Sequence, residues 1–209
     1  MPGGSAFSWT ADAVSAPLRP TSAPRWLGAV GQTVLMADLA ARIDQLARLA
    51  GTFTLRSGAV ASEYFDKYQF EADPATLREI ASGLAGLIPD GTEILAGLEL
   101  GGVPVATALS LETGLPVAFV RKAAKAYGTA RLAEGPDVAG RHVLVVEDVV
   151  TSGGQIVIST GELRELGATI THAVCVVDRQ EGGADNLAAA GIELRPLLRR
   201  RDLDRATRR

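Results

Sequence analysis

Two adjacent acids, Glu147 and Asp148, follow the apolar run Val143-Leu144-Val145-Val146 and precede Val149-Val150-Thr151-Ser152-Gly153-Gly154-Gln155. Thr151 and Ser152 offer hydroxyls, and Gly153 and Gly154 let a ligand approach the backbone N–H groups closely. A helix opening near Gly154-Gln155 adds the positive end of its dipole, completing an anion site suited to a phosphate monoester. The chain contains no Gly-Lys-Ser/Thr, and this loop is not Gly-x-Gly-x-x-Gly, which excludes the Walker and dinucleotide patterns. Carboxylates beside a phosphate are unfavourable unless they have another task. As pure acceptors they can hold a pair of sugar hydroxyls, or favour positive charge developing on a sugar ring. The bland alternative is a solvated strand-to-helix turn. A strand of four apolar residues, two acids, two valines and then Thr-Ser-Gly-Gly argues against it.

Three further segments carry matching chemistry. Arg121-Lys122-Ala123-Ala124-Lys125-Ala126-Tyr127-Gly128 places three cations within five residues, inside a long polar stretch ending at Gly140. Such a stretch is either an exposed basic loop or a lid whose cations close over a polyanion. Phe53-Thr54-Leu55-Arg56-Ser57-Gly58 leads to the aromatic pair Tyr64-Phe65, which alone reads as core packing. Val177-Asp178-Arg179-Gln180-Glu181 ends an apolar run with an arginine, which either forms a structural salt bridge or takes a carboxylate bidentately. The turn Gly97-Leu98-Glu99-Leu100-Gly101-Gly102-Val103-Pro104 is small enough for its backbone to approach a ligand.

These groups need a scaffold, and 209 residues with 47% hydrophobic content suit one α/β domain with some decoration. Residues 1–32, rich in Gly, Ser, Ala and Pro, read as disordered or extended. Met36, Leu39, Ala40, Ile43, Leu46 and Ala47 predict a helix with Gly51 as its C-cap. Asp73-Pro74 opens another, with Leu77, Ile80, Leu84 and Leu87 facing inward. Strands at Glu93–Leu98, Leu115–Val120, His142–Val146 and Thr171–Val177 then alternate with helices at Val103–Gly114, from the loop to Gly167, and Asp185–Ala190. An extended piece, Ile192–Leu198, closes the domain. This alternation predicts a parallel sheet covered on both faces. The domain spans 33–198, and 199–209 form a basic tail, expected to be a solvated, frayed end.

Composition narrows the rest. The net charge of -3 argues against a general nucleic-acid binder. No apolar run approaches the roughly 20 residues of a membrane helix, and no secretory signal is recognisable, so a cytoplasmic location is expected. Cys175 stands alone in an apolar run and reads as a buried thiol, and His142 and His172 lack metal-pair spacing.

Val143 to Gln155 resembles the phosphoribosyl-pyrophosphate (PRPP) signature of type I phosphoribosyltransferases. From about Phe53 to Gly183 the chain is most similar to the orotate branch of that family. The resemblance implies the type I fold: a central, mainly parallel sheet flanked by helices, with a small N-terminal hood at about 51–70. It implies a pentosyltransferase that joins PRPP to orotate, giving orotidine 5′-monophosphate and pyrophosphate in UMP synthesis. Val149 to Gln155 would bind substrate, Thr151 to Gly154 anchoring the 5′-phosphate, with Glu147 and Asp148 at the ribose, directly or through Mg²⁺. Arg121, Lys122 and Lys125 would close on pyrophosphate, Lys125 reaching into the partner's site of a homodimer. Mg²⁺ would be held mainly by PRPP and water, with no protein ligand. Tyr64 and Phe65 would cover the orotate ring and Arg179 would pair with it. Arg56 stands where the branch has lysine, and Tyr127 where it has histidine. These two departures keep open a phosphoribosyltransferase for another base, such as a purine. A PRPP-binding regulator without activity is the remaining alternative.

Overall fold

The computed structural model describes residues 29–54, 58–122 and 132–206. A long helix, α1 (Ala29–Ala47), leads into a hairpin of β1 (Arg48–Thr54) and β2 (Val60–Phe65), followed by α2 (Lys67–Ala72) and α3 (Pro74–Ala85). The alternating part runs β3 (Ile94–Leu98), α4 (Gly102–Thr113), β4 (Val117–Val120), β5 (Ala133–Glu134), β6 (Val143–Val150), α5 (Gly154–Glu165), β7 (His172–Asp178), α6 (Gly183–Ala189), β8 (Glu193–Arg199) and α7 (Arg200–Ala206).

Six strands form one sheet in the order β5-β4-β3-β6-β7-β8. All neighbours are parallel except β5, which pairs antiparallel with β4. The apolar runs predict this, because parallel strands are buried on both faces, and every residue of β3 is buried. One face of the sheet packs against α1 to α4 through Leu39, Ile43, Phe70, Ile80, Leu84 and Leu109. The other packs against α5 and α6 through Ile156, Leu163 and Leu187. The start of α3 follows its sequence signal: the Asp73 side chain accepts a hydrogen bond from Thr76 N at 2.8 Å, and Pro74 occupies the first turn.

Three expectations require correction. Gly51 does not cap α1. The helix stops at Ala47, whose carbonyl accepts from Asp66 N at 2.8 Å, and Gly51 lies inside β1. The third apolar strand does not end at Val146 but runs on to Val150, so Glu147 and Asp148 lie in the strand rather than in a loop. The basic tail is not frayed at its start. Asp202 accepts from Arg199 N at 2.8 Å, and the buried Leu203 joins the core against α1, folding Arg200–Ala206 into a helix. Among the described residues no helix is long and apolar enough to cross a membrane.

Candidate active site

The C-terminal ends of β3, β4, β6, β7 and β8 meet along one edge, where open parallel sheets bind ligands. At the end of β6 the chain turns through Thr151, Ser152 and Gly153 into α5. Gly153 has φ 73°, a left-handed conformation that a side chain disfavours, and this turn brings α5 round to face the loop. Asn186 Nδ2 donates to Ser152 O at 3.0 Å and ties the loop to α6. Thr151, Ser152 and Gly154 are left exposed, an open cradle with the start of α5 behind it.

The side chain of Val150 is buried, Val149 N donates to Asp148 Oδ1, and Val150 O accepts from Arg179 N at 2.8 Å. Gln155 turns its amide along the helix, donating to Ser159 Oγ at 3.0 Å.

The two acids differ in environment. Asp148 is fully buried, and Lys67 Nζ lies 2.6 Å from its Oδ2. Oδ2 makes no aligned hydrogen bond, so charge holds this contact. Glu71, one turn beyond Lys67 on α2, closes over the same carboxylate and is itself buried. Room for the meeting comes from Gly101. A Cβ there would fall 1.5 Å from Asp148 Oδ2 and 2.9 Å from Glu71 Oε1. Burial, then the hydrogen bond and charge of Asp148, push Glu71 up to about 9. Burial, then the charge of Asp148, push Glu147 up to about 9 as well. Burial also works against charge on Asp148, yet Glu71 and Lys67 hold its carboxyl below the ordinary range. Burial opposes the charge on Lys67 too, and Asp148 outweighs it, so the ammonium is raised. Burial thus favours the neutral form of Glu71 and Glu147, while Lys67 and Glu71 favour the ionised form of Asp148.

Arg121 N donates to Leu132 O at 2.9 Å and its guanidinium lies 3.6 Å from Glu134, while Lys122 N donates to Glu99 Oε2 at 3.2 Å, which ties Lys122 to the Gly-rich turn. Lys125 and Tyr127 lie outside the described residues, as does Arg56 in the hood.

A cavity of about 290 Å³ opens at the ends of β7 and β8 under the hairpin. Tyr64, Phe65 and Arg179 line it together. Phe53 and Tyr64 stack at a ring-centroid distance of 5.5 Å. The Arg179 guanidinium stands 5.8 Å from the Phe65 ring centroid, with Nη2 3.2 Å from Glu181 Oε1. Arg48 and Glu63 complete the hairpin side, and Arg200 and Leu203 of α7 line the same cavity.

Residues 67–190 match the phosphoribosyl transferase domain family. An orotate phosphoribosyltransferase of Nocardioides sp. is 56% identical over 82% of this chain and 96% of its own length. The chain belongs to the orotate phosphoribosyltransferase family. Solved members of the family share its fold. The orotate phosphoribosyltransferase of Mycobacterium tuberculosis H37Rv, in complex with Fe(III) dicitrate, superposes with a TM-score of 0.74 at 35% identity, covering 81% of this chain and 98% of the other. The same enzyme in complex with PRPP gives 0.71 at 31% identity, covering 81% and 99%.

Within this orotate phosphoribosyltransferase framework, six site residues escape a reading of the sequence: Lys67, Glu71, Arg48, Glu63, Arg200 and Leu203. Lys67 and Glu71 left one signal, a spacing of four residues that sets both on one helical face. Nothing local says that the face meets Asp148. Arg200 and Leu203 were masked by the arginine-rich composition around them.

Proposed function

We propose that this orotate phosphoribosyltransferase family member transfers the 5-phosphoribosyl group of PRPP to orotate, releasing pyrophosphate. The observation that carries this is a shared edge. The phosphate cradle at Thr151–Gly154, the buried acids and an aromatic cavity bearing Arg179 all open at the C-terminal ends of neighbouring strands.

Loss of pyrophosphate leaves positive charge on the ribose ring. Asp148, ionised and clamped by Lys67, presents a fixed negative charge to it, and Glu147 accepts from a ribose hydroxyl once its own proton is released. Such charge is effective because it is placed before the reaction begins. Exposed hydroxyls and backbone N–H groups of Thr151 to Gly154 bind the 5′-phosphate. Arg121, Lys122 and Lys125 neutralise charge growing on the leaving group, and closure of their loop excludes water that would hydrolyse the activated sugar. Tyr64 and Phe65 flank the incoming ring, and Arg179 pairs with its carboxylate. Arg56 and Tyr127 take the places of the branch's lysine and histidine at the base and at pyrophosphate.

Mg²⁺ would be carried mainly by PRPP and water, and would supply further charge neutralisation there. A cytoplasmic homodimer, with Lys125 crossing to the partner's site, completes the proposal.

The deciding experiment follows orotate absorbance with PRPP and Mg²⁺ present or withheld. PRPP-dependent loss of orotate is expected, abolished without Mg²⁺. Consumption of a purine with orotate untouched would assign another base, and PRPP binding with no turnover of any base would make the protein a regulator. Lys125→Ala is expected to cripple turnover while largely sparing PRPP binding.

A further inference from the structure

We propose that α7 is a working wall of the base site and that Arg200 is a specificity-determining residue, reading the anionic edge of the incoming base. This rests on the base site proposed above and adds a residue to it.

Position comes first. Arg200 and Leu203 line the same cavity as Tyr64 and Phe65. Leu203 is 1% exposed and anchored in the core, so α7 is held in place. The helix is also bonded to the turn that presents Arg179. Gln180 follows Arg179 with φ 58°, a left-handed conformation that its backbone N supports by donating to Asp178 Oδ1 at 2.8 Å. The Gln180 side chain then accepts from Arg201 N at 3.2 Å. Base turn and C-terminal helix are thus one hydrogen-bonded unit.

Charge comes second. Three arginines line the cavity against one acid, Glu63. Arg48 is occupied: its guanidinium meets Asp44 at 2.7 Å and Glu63 at 2.9 Å. Arg179 keeps a buried Nε without a partner. Arg200 donates only through Nε, to Asp204 at 3.0 Å, and among the described residues its two terminal nitrogens make no hydrogen bond or ion pair. Two guanidinium forks with open donors therefore face one small aromatic-walled cavity. Arg179 is balanced on one side by Glu181 and Arg200 by Asp204, and the donors left over remain for an entering anion. The occupant they fit is flat, anionic and rich in acceptors, a pyrimidine carboxylate. One planar fork can take the carboxylate while the other takes ring oxygens. A neutral pyrimidine offers the second fork much less.

The test compares Arg200→Ala, Arg200→Lys and Arg179→Ala by steady-state kinetics, with uracil as a competing inhibitor. In Arg200→Ala the KM for orotate should rise about tenfold, the scale of one charge-assisted hydrogen bond. The KM for PRPP should stay within about twofold, and the preference for orotate over uracil should narrow by a similar factor as for orotate. Arg200→Lys should recover part of the loss. An unchanged orotate KM in Arg200→Ala, with Arg179→Ala impaired, overturns the role of Arg200 alone. Equal rises for both substrates with a lowered Tm reduce α7 to a structural prop and also overturn it. If Arg179→Ala too binds orotate normally, it is the base site itself that is misplaced.

Discussion

Lys67 Nζ lies 2.6 Å from Asp148 Oδ2, so the second acid of the PRPP signature carries its own counter-charge, supplied by a helix of the hood. An isolated buried carboxylate would take up a proton instead of staying ionised. The nearby ammonium favours the charged form instead.

Lys67→Met removes that counter-charge. Breaking a fully buried pair costs about 3–5 kcal/mol, and the partial exposure of Lys67 reduces the expected loss to about 2 kcal/mol. Thermal unfolding should show a Tm lower by about 4–8 °C. Adding Asp148→Asn to Lys67→Met should restore much of the stability but not turnover. A single variant as stable as the wild type would show that the pair is not buried in solution.

Glu71 makes stability depend on pH, and the sign follows from its raised carboxyl. Its ordinary value is 4.5 and its folded value about 9, so the folded chain holds a proton that the unfolded chain releases. That contribution is fully present below about 4.5 and is lost as pH rises through about 9. Glu71→Gln keeps a neutral side chain of the same shape. Its Tm should match the wild type near pH 4.5 and exceed it increasingly toward pH 9, with Glu147 accounting for slope that remains. Parallel curves for the two proteins would refute the proton.

Gly101→Ala tests the space between the turn and the acids. The added methyl would sit 1.5 Å from Asp148 Oδ2, so the carboxylate or the β3–α4 turn must move. Turnover should fall about 100-fold, the scale of a misplaced reacting group. Gly161→Ala, on an exposed position of α5 with nothing within 4 Å of its Cβ, is the control. It should gain about 1 kcal/mol of stability and leave the kinetics alone.

Gly153→Ala addresses the phosphate cradle. Its φ of 73° costs an alanine about 1–2 kcal/mol, and the methyl would meet Gly183 O at 3.2 Å. The KM for PRPP should rise well above wild type while that for orotate moves little. An equal rise for both substrates would place the phosphate elsewhere.

Much of this was legible because the signals are local. Parallel strands buried on both faces must be apolar throughout, so β3, β6 and β7 stand out as runs. Glu147-Asp148 is legible for the opposite reason: acids at the end of such a run are costly without a purpose. Tyr64, Phe65 and Arg179 could be nominated singly, but only the fold brings them to one cavity. Lys67 and Glu71 were silent, since charged residues four apart on a short helix look the same whether they face water or a buried aspartate. Arg200 was silent too, because arginines cluster in frayed tails as readily as in binding walls.

The strand order β4-β3-β6-β7-β8 also arranges charge along one edge. Arg121 and Lys122 follow β4, Gly101 follows β3, Glu147 and Asp148 lie near the end of β6, Arg179 follows β7, and Arg200 opens α7 after β8. Strands lie about 4.8 Å apart, so these groups are spread over about 19 Å along a single edge. The two acids thus stand between two cationic flanks, one beyond β4 and the other beyond β7 and β8.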